Sequence, residues 1–276
     1  MSQKIALIFD FDDTLAHDST TDFLKSIGID THHFWKSKVD PLIEQGWDPI
    51  PAYLYMMIEE SKNRPASQRI TREKLQSFGS DVRLFEGVPR LFSNLKKHVA
   101  LKSENIQLEF YLISSGIGDI LRHTKIVNQF TDVWSSDFHY NEKGEIYFPK
   151  RIVSFTDKTR YIFSISKGLV GEEFKNKPFD VNDKTQKFHI PFDQMIFVGD
   201  GLTDVPCFSL IKKYKGITFA VYDPNRQDKW GRAWKFIQDQ RVTNLLPADY
   251  SKNSALLSNL TMALDGLIQK INSKPV

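Results

Sequence analysis

The chain has 276 residues, of which 41% are hydrophobic and 26% are charged, as in an ordinary globular protein. The net charge of +3 is small and basic residues are interleaved with acidic ones, so the sequence excludes the basic stripe of a nucleic-acid-binding protein. The single cysteine, Cys207, excludes an internal disulfide framework, and no apolar run reaches the roughly 18 residues that span a membrane, so we expect a soluble cytoplasmic protein.

Short apolar runs of strand length occur at 5–9, 108–113, 195–198 and 216–221, and helix-like stretches follow them. This alternation predicts an α/β fold, a Rossmann-like parallel sheet with helices on both faces. Further along the chain, 140–149 has the pattern of a β-hairpin turning at 141–144, and the Lys-rich stretch 172–187 is predicted to be a solvated loop.

The first two predicted strands are unusually far apart. A parallel crossover needs roughly 30 residues, yet about 95 separate Leu15 from Phe110. Residues 16–84 are here called the insertion. Their pattern predicts helices that start at about residue 20 and lie at 33–44, with a break near Pro41, at 52–60 and at 72–78. A further helix at 89–98 returns the chain to the sheet. We therefore expect a core of 1–15 and 85–276 and a helical cap domain of 16–84.

Three aspartates follow the first predicted strand, in IALIFDFDDTL. Asp10 and Asp12 are two residues apart, so on an extended backbone both side chains point the same way. Carboxylates this close disfavour each other's ionisation unless a cation neutralises them, which indicates a metal ion. Asp13 should point away from the pair and make a turn or cap hydrogen bond. Self-capping aspartates in a simple turn are the alternative.

Three more polar motifs lie at the edge where open α/β sheets place their ligands. Ser114 and Ser115, in FYLISSG, would offer hydroxyl and N–H groups to a phosphate, or act as plain N-caps. Lys158, in FTDKTRYIF, lies at the start of a predicted helix, where the helix dipole gives a cation no benefit. An ordinary surface charge is the alternative interpretation. Asp200 and Asp204, in IFVGDGLTD, place two more carboxylates after a predicted strand. The alternative is that they form a turn and cap the helix that follows.

In this order, DFDDTL, ISSG, a downstream lysine and GDGLTD resemble the haloacid dehalogenase-like (HAD) superfamily of phosphohydrolases, in its phosphoserine-phosphatase-like branch. The insertion lies where that family carries its helical cap. The resemblance implies a phosphatase that cleaves a small-molecule phosphomonoester through an aspartyl phosphate, with Mg²⁺ as cofactor. Phosphoserine phosphatases usually have asparagine where this chain has Thr203, so the resemblance does not extend to the substrate.

The resemblance also implies the role of each acid. Asp10 would be the nucleophile and Asp12 the general acid and base. Asp10, Asp12 and Asp200 would hold the metal ion, with Asp204 in a second shell around it. A carboxylate is a weak nucleophile towards a phosphate dianion unless a cation screens its approach, so these roles agree with elementary chemistry.

The phosphate of the substrate would be bound by Ser114, Ser115 and Lys158. The lysine would also help to hold Asp10 ionised. Within the insertion, seven side chains are chemically suited to contact a substrate, although a packed aromatic or solvated polar group is the simpler interpretation of each: His32, His33, Trp35, Trp47, Tyr53, Tyr55 and Arg64. The two histidines lack partners at zinc-site spacings, so no zinc is expected.

Other functions share parts of this pattern. Gly116 and Gly118 follow a strand as in a dinucleotide fingerprint, which would suggest an NAD-binding oxidoreductase, but the third glycine position is Leu121. A receiver-like regulatory protein phosphorylated on Asp10 would be about half this length. A phosphotransferase or phosphomutase would carry the same motifs. The sequence does not define the phosphorylated substrate or the oligomeric state.

Overall fold

The computed structural model of the protein describes residues 3–184, 188–226 and 234–273. The strands found there are β1 (Gln3–Phe9), β2 (Ile106–Ile117), β3 (Asp132–Tyr140), β4 (Ile146–Arg151), β5 (Met195–Gly199), β6 (Ile217–Tyr222) and β7 (Asn244–Pro247). They form one sheet in the order β4-β3-β2-β1-β5-β6-β7. Neighbouring strands are parallel except β3 and β4, which are antiparallel. The predicted α/β fold with a mostly parallel sheet is confirmed.

The helices between β1 and β2 are α1 (Ser19–Ser26), α2 (Thr31–His33), a π-helix (Phe34–Val39), α3 (Asp40–Glu44), α4 (Pro49–Lys62), α5 (Arg72–Gly79) and α6 (Val88–Lys102). After β2 come α7 (Gly118–Leu121), α8 (Phe155–Lys167), α9 (Val205–Lys213) and a C-terminal helix (Ala255–Asn272). The helical run predicted to break near Pro41 is continuous but changes type beside it: the π-helix ends at Val39 and α3 begins at Asp40, with Pro41 in its first turn. The N–H of Asp40 donates to the carbonyl of Trp35, and Pro41 has no N–H to continue that pattern.

The sheet is covered on both faces, as predicted. Ile5 and Leu7 of β1 belong to a hydrophobic cluster that contains α6 and the C-terminal helix. Their neighbour Ile8 belongs to a second cluster, with α8 and α9. Because side chains alternate between the faces of a strand, burial on both sides explains the unbroken apolar run of β1.

Strand β2 extends further than the sequence indicates. It continues to Ile117, so residues 114–116 lie within the strand rather than in a turn that opens a helix. Its pairing with β3 is irregular there, because the four-residue step from Ile113 to Ile117 lies opposite the two-residue step from Trp134 to Ser136. Such a bulge bends a strand and re-aims its side chains. The helix that follows, α7, has only four residues.

The predicted hairpin is confirmed as β3 and β4. Its turn is closed by Asn141, whose Oδ1 accepts hydrogen bonds from the N–H groups of Lys143 and Glu145, both at 3.0 Å. Gly144 has a φ of 73°, a conformation that glycine adopts without strain. The predicted loop at 172–187 is described as far as 184, with short 3₁₀ turns at Glu172–Phe174 and Asp180–Asn182; residues 185–187 lie outside the described residues.

The two connections between the insertion and the sheet run side by side. The N–H of His17 donates to the carbonyl of Arg83 at 3.0 Å, and the N–H of Phe85 donates to the carbonyl of Leu15 at 2.9 Å. The insertion also contacts the hairpin, since the N–H of Ile146 donates to the carbonyl of Ile70 at 3.0 Å. Across the described residues, no helix combines the length and apolar character that crossing a bilayer requires.

Candidate active site

Asp10 lies at the carboxyl edge of the sheet, directly after β1. Its N–H donates to the carbonyl of Val198 in β5 at 2.9 Å, so the parallel pairing of β1 and β5 continues to this point. Asp200 directly follows β5. Because neighbouring parallel strands end at the same edge, residues far apart in sequence meet there.

The structure brings Asp10, Asp200 and Asp204 together. One carboxylate oxygen of each lies within 4.8 Å of the others. The ammonium of Lys158 is 3.1 Å from Oδ1 of Asp10 and 2.7 Å from Oδ1 of Asp204, and it donates to the hydroxyl of Thr203 at 3.3 Å. The Lys158 and Asp204 side chains are 0% exposed, so this ion pair is fully removed from solvent.

Burial and charge act in opposite directions on these groups. Burial raises the pKa of Asp10 to about 7, and nearby Asp204 contributes to the rise, although the Lys158 ammonium works against it. Burial disfavours the charged form of Lys158, but the carboxylates of Asp10 and Asp204 outweigh that effect and raise its pKa. One ammonium therefore contacts two carboxylates, those of Asp10 and Asp204, and the carboxylate of Asp200 lies beside them.

Asp12 has different surroundings. Its Oδ1 accepts a hydrogen bond of 2.7 Å from the N–H of Ser19, and its carboxylate is not part of the cluster around Lys158. Burial raises the pKa of Asp12 well above its ordinary value, and the negative charge of Asp18 adds to that rise. A Cβ on Gly116 would lie 2.6 Å from Oδ2 of Asp12, so a larger residue there would displace this carboxyl group.

The bulged segment of β2 brings two hydroxyl groups to the same edge. Ser114 is 1% exposed, and its Oγ accepts a hydrogen bond of 3.0 Å from the N–H of Gly116. The Oγ of Ser115 is buried and has no hydrogen-bond partner within the described part of the chain. A buried polar group without a partner is costly unless a ligand satisfies it. The carbonyl of Ser115 accepts from the hydroxyl of Tyr53, in the insertion, at 2.7 Å.

A cavity of about 320 Å³ separates these groups from the insertion. Ser114 and Ser115 line it, together with six acids: Asp10, Asp12, Asp13, Asp18, Asp40 and Asp200. Of the seven side chains of the insertion that were predicted to contact a substrate, two line the cavity, Trp35 and Tyr53. Asp13, expected to point away from the pair, lies in the turn with a φ of 56° and yet contributes to the lining.

Asp18 and Ser19 are site residues that the sequence did not reveal. Asp18 is the N-cap of α1, where its Oδ1 accepts from the N–H of Thr21 at 2.9 Å. The stretch HDSTTDF contains this N-cap signal, which predicts where a helix begins. It does not predict that the helix start lies against Asp12, because that contact depends on how the insertion folds back onto the sheet.

Comparison with known proteins was made by sequence and by structure. No family model matches the chain. An uncharacterized protein of Borreliella burgdorferi is 28% identical over 277 residues, which cover 91% of this chain and 93% of that protein. A HAD family hydrolase from Salmonella enterica serovar Typhi superposes with a TM-score of 0.59 at 13% identity, over 89% of this chain and 68% of the hydrolase.

Phosphoserine phosphatases show the same likeness. A phosphoserine phosphatase crystallised as an analogue of its phospho-aspartyl intermediate has a TM-score of 0.56 at 13% identity, over 94% of this chain and 99% of that one. A probable phosphoserine phosphatase from Vibrio cholerae has a TM-score of 0.59 at 12% identity, over 97% of this chain and 67% of that one. The chain has the fold of the HAD hydrolases. These phosphoserine phosphatases share that fold.

Proposed function

We propose that the protein is a magnesium-dependent phosphohydrolase that cleaves a small-molecule phosphomonoester through an aspartyl phosphate on Asp10. The observation that carries this proposal is the position of the buried Asp10 carboxylate, 3.1 Å from the Lys158 ammonium and clustered with Asp200 and Asp204. The cluster borders a cavity that also contains the unpartnered hydroxyl of Ser115. A purely structural ion pair would not require a third carboxylate, that of Asp200, clustered with the two that contact the ammonium.

The donor set suits Mg²⁺. Asp10 and Asp200 would hold the ion, with Asp204 beside them, because carboxylate oxygens are the ligands this cation prefers. When bound, Mg²⁺ supplies positive charge that offsets the repulsion between a carboxylate nucleophile and a phosphate dianion. The predicted contribution of the Asp12 carboxylate to the metal site has less support, because this group bonds to the N–H of Ser19 and lies outside the cluster.

The reaction follows from the positions of the two acids. The Asp10 carboxylate attacks phosphorus, the bond between phosphorus and the ester oxygen breaks, and the phosphoryl group remains on Asp10. Asp12, whose pKa is raised by burial, gives its proton to the leaving oxygen. As a carboxylate it then takes a proton from water, whose oxygen attacks the same phosphorus. Inorganic phosphate leaves and both acids return to their starting states.

Lys158, Ser114 and Ser115 would bind the phosphate. The ammonium favours the ionised form of Asp10 and would offset charge on the phosphoryl oxygens. The Oγ of Ser115, which lacks a partner within the chain as described, would donate to a phosphate oxygen. The Oγ of Ser114 already accepts from the N–H of Gly116, so its own proton is available to the substrate.

We further propose that residues 16–84 act as the cap of this enzyme and that 1–15 and 85–276 form its core. The adjacent crossing points at Leu15 and Phe85 and at His17 and Arg83 support this boundary. The cap would exclude water from the cavity and select the substrate, a small phosphorylated molecule. The cytoplasm suits a chain whose one cysteine, Cys207, is buried and unpaired.

A dinucleotide would not fit at Gly118, the first residue of α7. A Cβ on Gly118 would lie 2.2 Å from Oδ1 of Asp137 and 2.3 Å from Nη2 of Arg122, so these paired side chains fill the space a pyrophosphate would need.

Hydrolysis and transfer of the phosphoryl group to an alcohol would use the same residues. Product analysis with a competing alcohol separates the two reactions.

The test is release of phosphate from p-nitrophenyl phosphate. We expect turnover with Mg²⁺, loss of turnover in excess EDTA, poor support by Ca²⁺, and no turnover by Asp10→Asn with Mg²⁺. Asp48→Asn is the matched control, because it removes an exposed carboxylate of the insertion and should keep wild-type activity. Full turnover in EDTA would contradict the metal role, and full turnover by Asp10→Asn would contradict the nucleophile.

A further inference from the structure

A second concave site, here called the basic cleft, lies on the face of the sheet that α8 covers. Its volume is about 300 Å³, and its lining comes from β3, the end of β4, α8 and the loop that follows α8. It shares no lining residue with the active-site cavity. Asp132 is the one acid in its lining as the structure describes it. Five cationic side chains line it: Lys150, Arg151, Arg160, Lys175 and Lys177.

The floor of the basic cleft is a group of stacked aromatic rings. The ring of Trp134 stacks against Tyr111 and against Tyr161, with centroids 6.0 and 5.1 Å away. The guanidinium of Arg160 lies over the Tyr161 ring, 4.7 Å from its centroid. Because these rings are engaged with one another and with Arg160, the cleft offers a ligand charge and hydrogen bonds rather than a free ring face.

Two guanidinium groups lie near the hydroxyl of Tyr161. Nη2 of Arg160 donates to this hydroxyl at 2.7 Å. Burial raises the pKa of Tyr161, and the charges of Arg160 and Arg151 oppose that rise. Tyr161 is 6% exposed, and its own proton has no acceptor in the part of the chain that the structure describes. Buried donors of this kind are costly unless a ligand accepts from them.

Neighbouring carboxylates compensate the two guanidinium groups only in part. Asp157 is 3.9 Å from Arg160 and is 39% exposed. Asp137 is 3.7 Å from Arg151 and is shared with Arg122. Neither distance is that of a close charge-assisted hydrogen bond. Both guanidinium groups therefore remain available to an anion in the cleft.

The lysines add further positive charge. Lys175 pairs with Glu172, whose side chain is 85% exposed, and such a pair contributes little. Among the described residues, Lys150 and Lys177 form no ion pair. Both oxygens of Asp132 accept backbone N–H groups at 2.8 Å, so this acid is bound to backbone and not to a cation of the cleft. The basic cleft therefore has an excess of positive charge.

We propose that the basic cleft is a second binding site, which takes a small ligand with two phosphate groups. The guanidinium groups near Tyr161 would hold one phosphate, because the planar fork of arginine matches its oxygens. The lysines would hold the other, since five cations exceed what one phosphate dianion neutralises. A volume of about 300 Å³ is at the small end for ligand sites, which favours a short bisphosphate. This site does not depend on the proposed phosphatase function.

The experiment is a calorimetric titration of the protein with two matched phosphonates in EDTA. Methylenediphosphonate carries two phosphonate groups on one carbon, and methylphosphonate carries one. We expect the diphosphonate to bind at least about tenfold more tightly, because it gains a second set of charge-assisted hydrogen bonds. Its affinity should fall with added salt. Equal affinities, or no measurable binding of the diphosphonate, would overturn the proposal.

Variants test the location of the ligand. Lys150→Gln and Arg160→Gln should each weaken binding of the diphosphonate several-fold. Lys97→Gln and Arg90→Gln are the matched controls, because they remove the same charges from exposed positions of α6 outside the cleft, and they should keep the wild-type affinity. Lys150 is itself exposed, so its replacement leaves the packing of the core intact. Equal weakening in cleft and control variants would mean that only net charge acts, which would contradict a site.

The active site is the alternative location for the anion. Asp10→Asn removes an acid there, so it should tighten binding only of a ligand in that site. We expect the wild-type affinity for the diphosphonate in this variant, and tighter binding would place the ligand at the active site instead. A single-stranded oligonucleotide that binds more tightly than the diphosphonate would make the cleft part of a nucleic-acid surface and would also overturn the proposal.

Discussion

Replacing Lys158 with methionine tests the electrostatic design of the site. The ammonium is fully buried between Asp10 and Asp204, and methionine has a similar length without the charge. Removing one partner of a buried ion pair typically costs about 3–5 kcal/mol, because the remaining charge stays buried without compensation. At about 2–4 °C per kcal/mol for a chain of this size, the melting temperature should fall by roughly 6–20 °C.

The same variant should gain a characteristic pH dependence. Without the ammonium, the pKa of Asp10, already raised by burial, rises further. The native variant then keeps a carboxyl proton at pH values where the unfolded chain has lost it, so its stability falls as the pH rises. We expect the difference from wild type to be smallest near about pH 5 and largest near about pH 8.

Thermal unfolding by calorimetry in EDTA measures both effects, since no divalent cation can then replace the ammonium. Lys62→Met is the matched control, because Lys62 is 54% exposed and pairs with neighbouring Glu59 on its helix. Its melting temperature should not change measurably. Adding Asp204→Asn to Lys158→Met should recover part of the loss, because it removes one of the stranded charges. A Lys158→Met protein as stable as wild type at pH 8 would refute the reasoning.

Three further predictions concern the chemistry. Asp12→Asn, mixed with Mg²⁺ and p-nitrophenyl phosphate, should turn over about 10²- to 10⁴-fold more slowly and accumulate a phosphoprotein seen by mass spectrometry; Asp10→Asn should not, and label on Ser114 would contradict the assigned roles. The affinity for Mg²⁺, measured by calorimetry, should fall about tenfold per pH unit below about pH 7, because the ion competes with the proton on Asp10. An affinity that does not change from pH 5 to 8 would exclude Asp10 as a ligand. Gly116→Ala should lower kcat about 10²-fold, because the added Cβ would displace the Asp12 carboxyl group. Gly266→Ala is the control, because a Cβ there meets nothing within 4 Å. Equal kcat in the two variants would show that the close approach at Gly116 is unimportant.

Sequence patterns predicted much of the fold because those features are local. The apolar runs of β1 and β5 are buried on both faces, and the acids that follow them mark where each strand ends. Once two parallel strands pair, their ends must meet at one edge, so the approach of Asp10 and Asp200 follows from the topology. The oversized gap after Leu15 likewise indicated an insertion of helices, which the structure confirms.

Features that depend on distant contacts were not predictable in this way. The bulge in β2 arises from its pairing with β3, and of β3 the sequence indicated only the end that enters the hairpin. The bulge determines where Ser114 and Ser115 lie. Asp204 lies against Lys158 and in one cluster with Asp10, whereas the resemblance implied a position in a second shell around the metal ion. Its position depends on how α8 packs against α9.

The lining of the cavity shows the same division. The sequence showed that the insertion carries aromatic and charged side chains, but it did not distinguish which of the seven candidates contact a substrate. Only the tertiary structure selected Trp35 and Tyr53 and added Asp18 and Asp40, because the folding of the π-helix, α3 and α4 over the sheet edge decides which side chains face inward. Local pattern specifies an element and its buried face, whereas the neighbours that a polar side chain meets are fixed by packing between elements far apart in the chain.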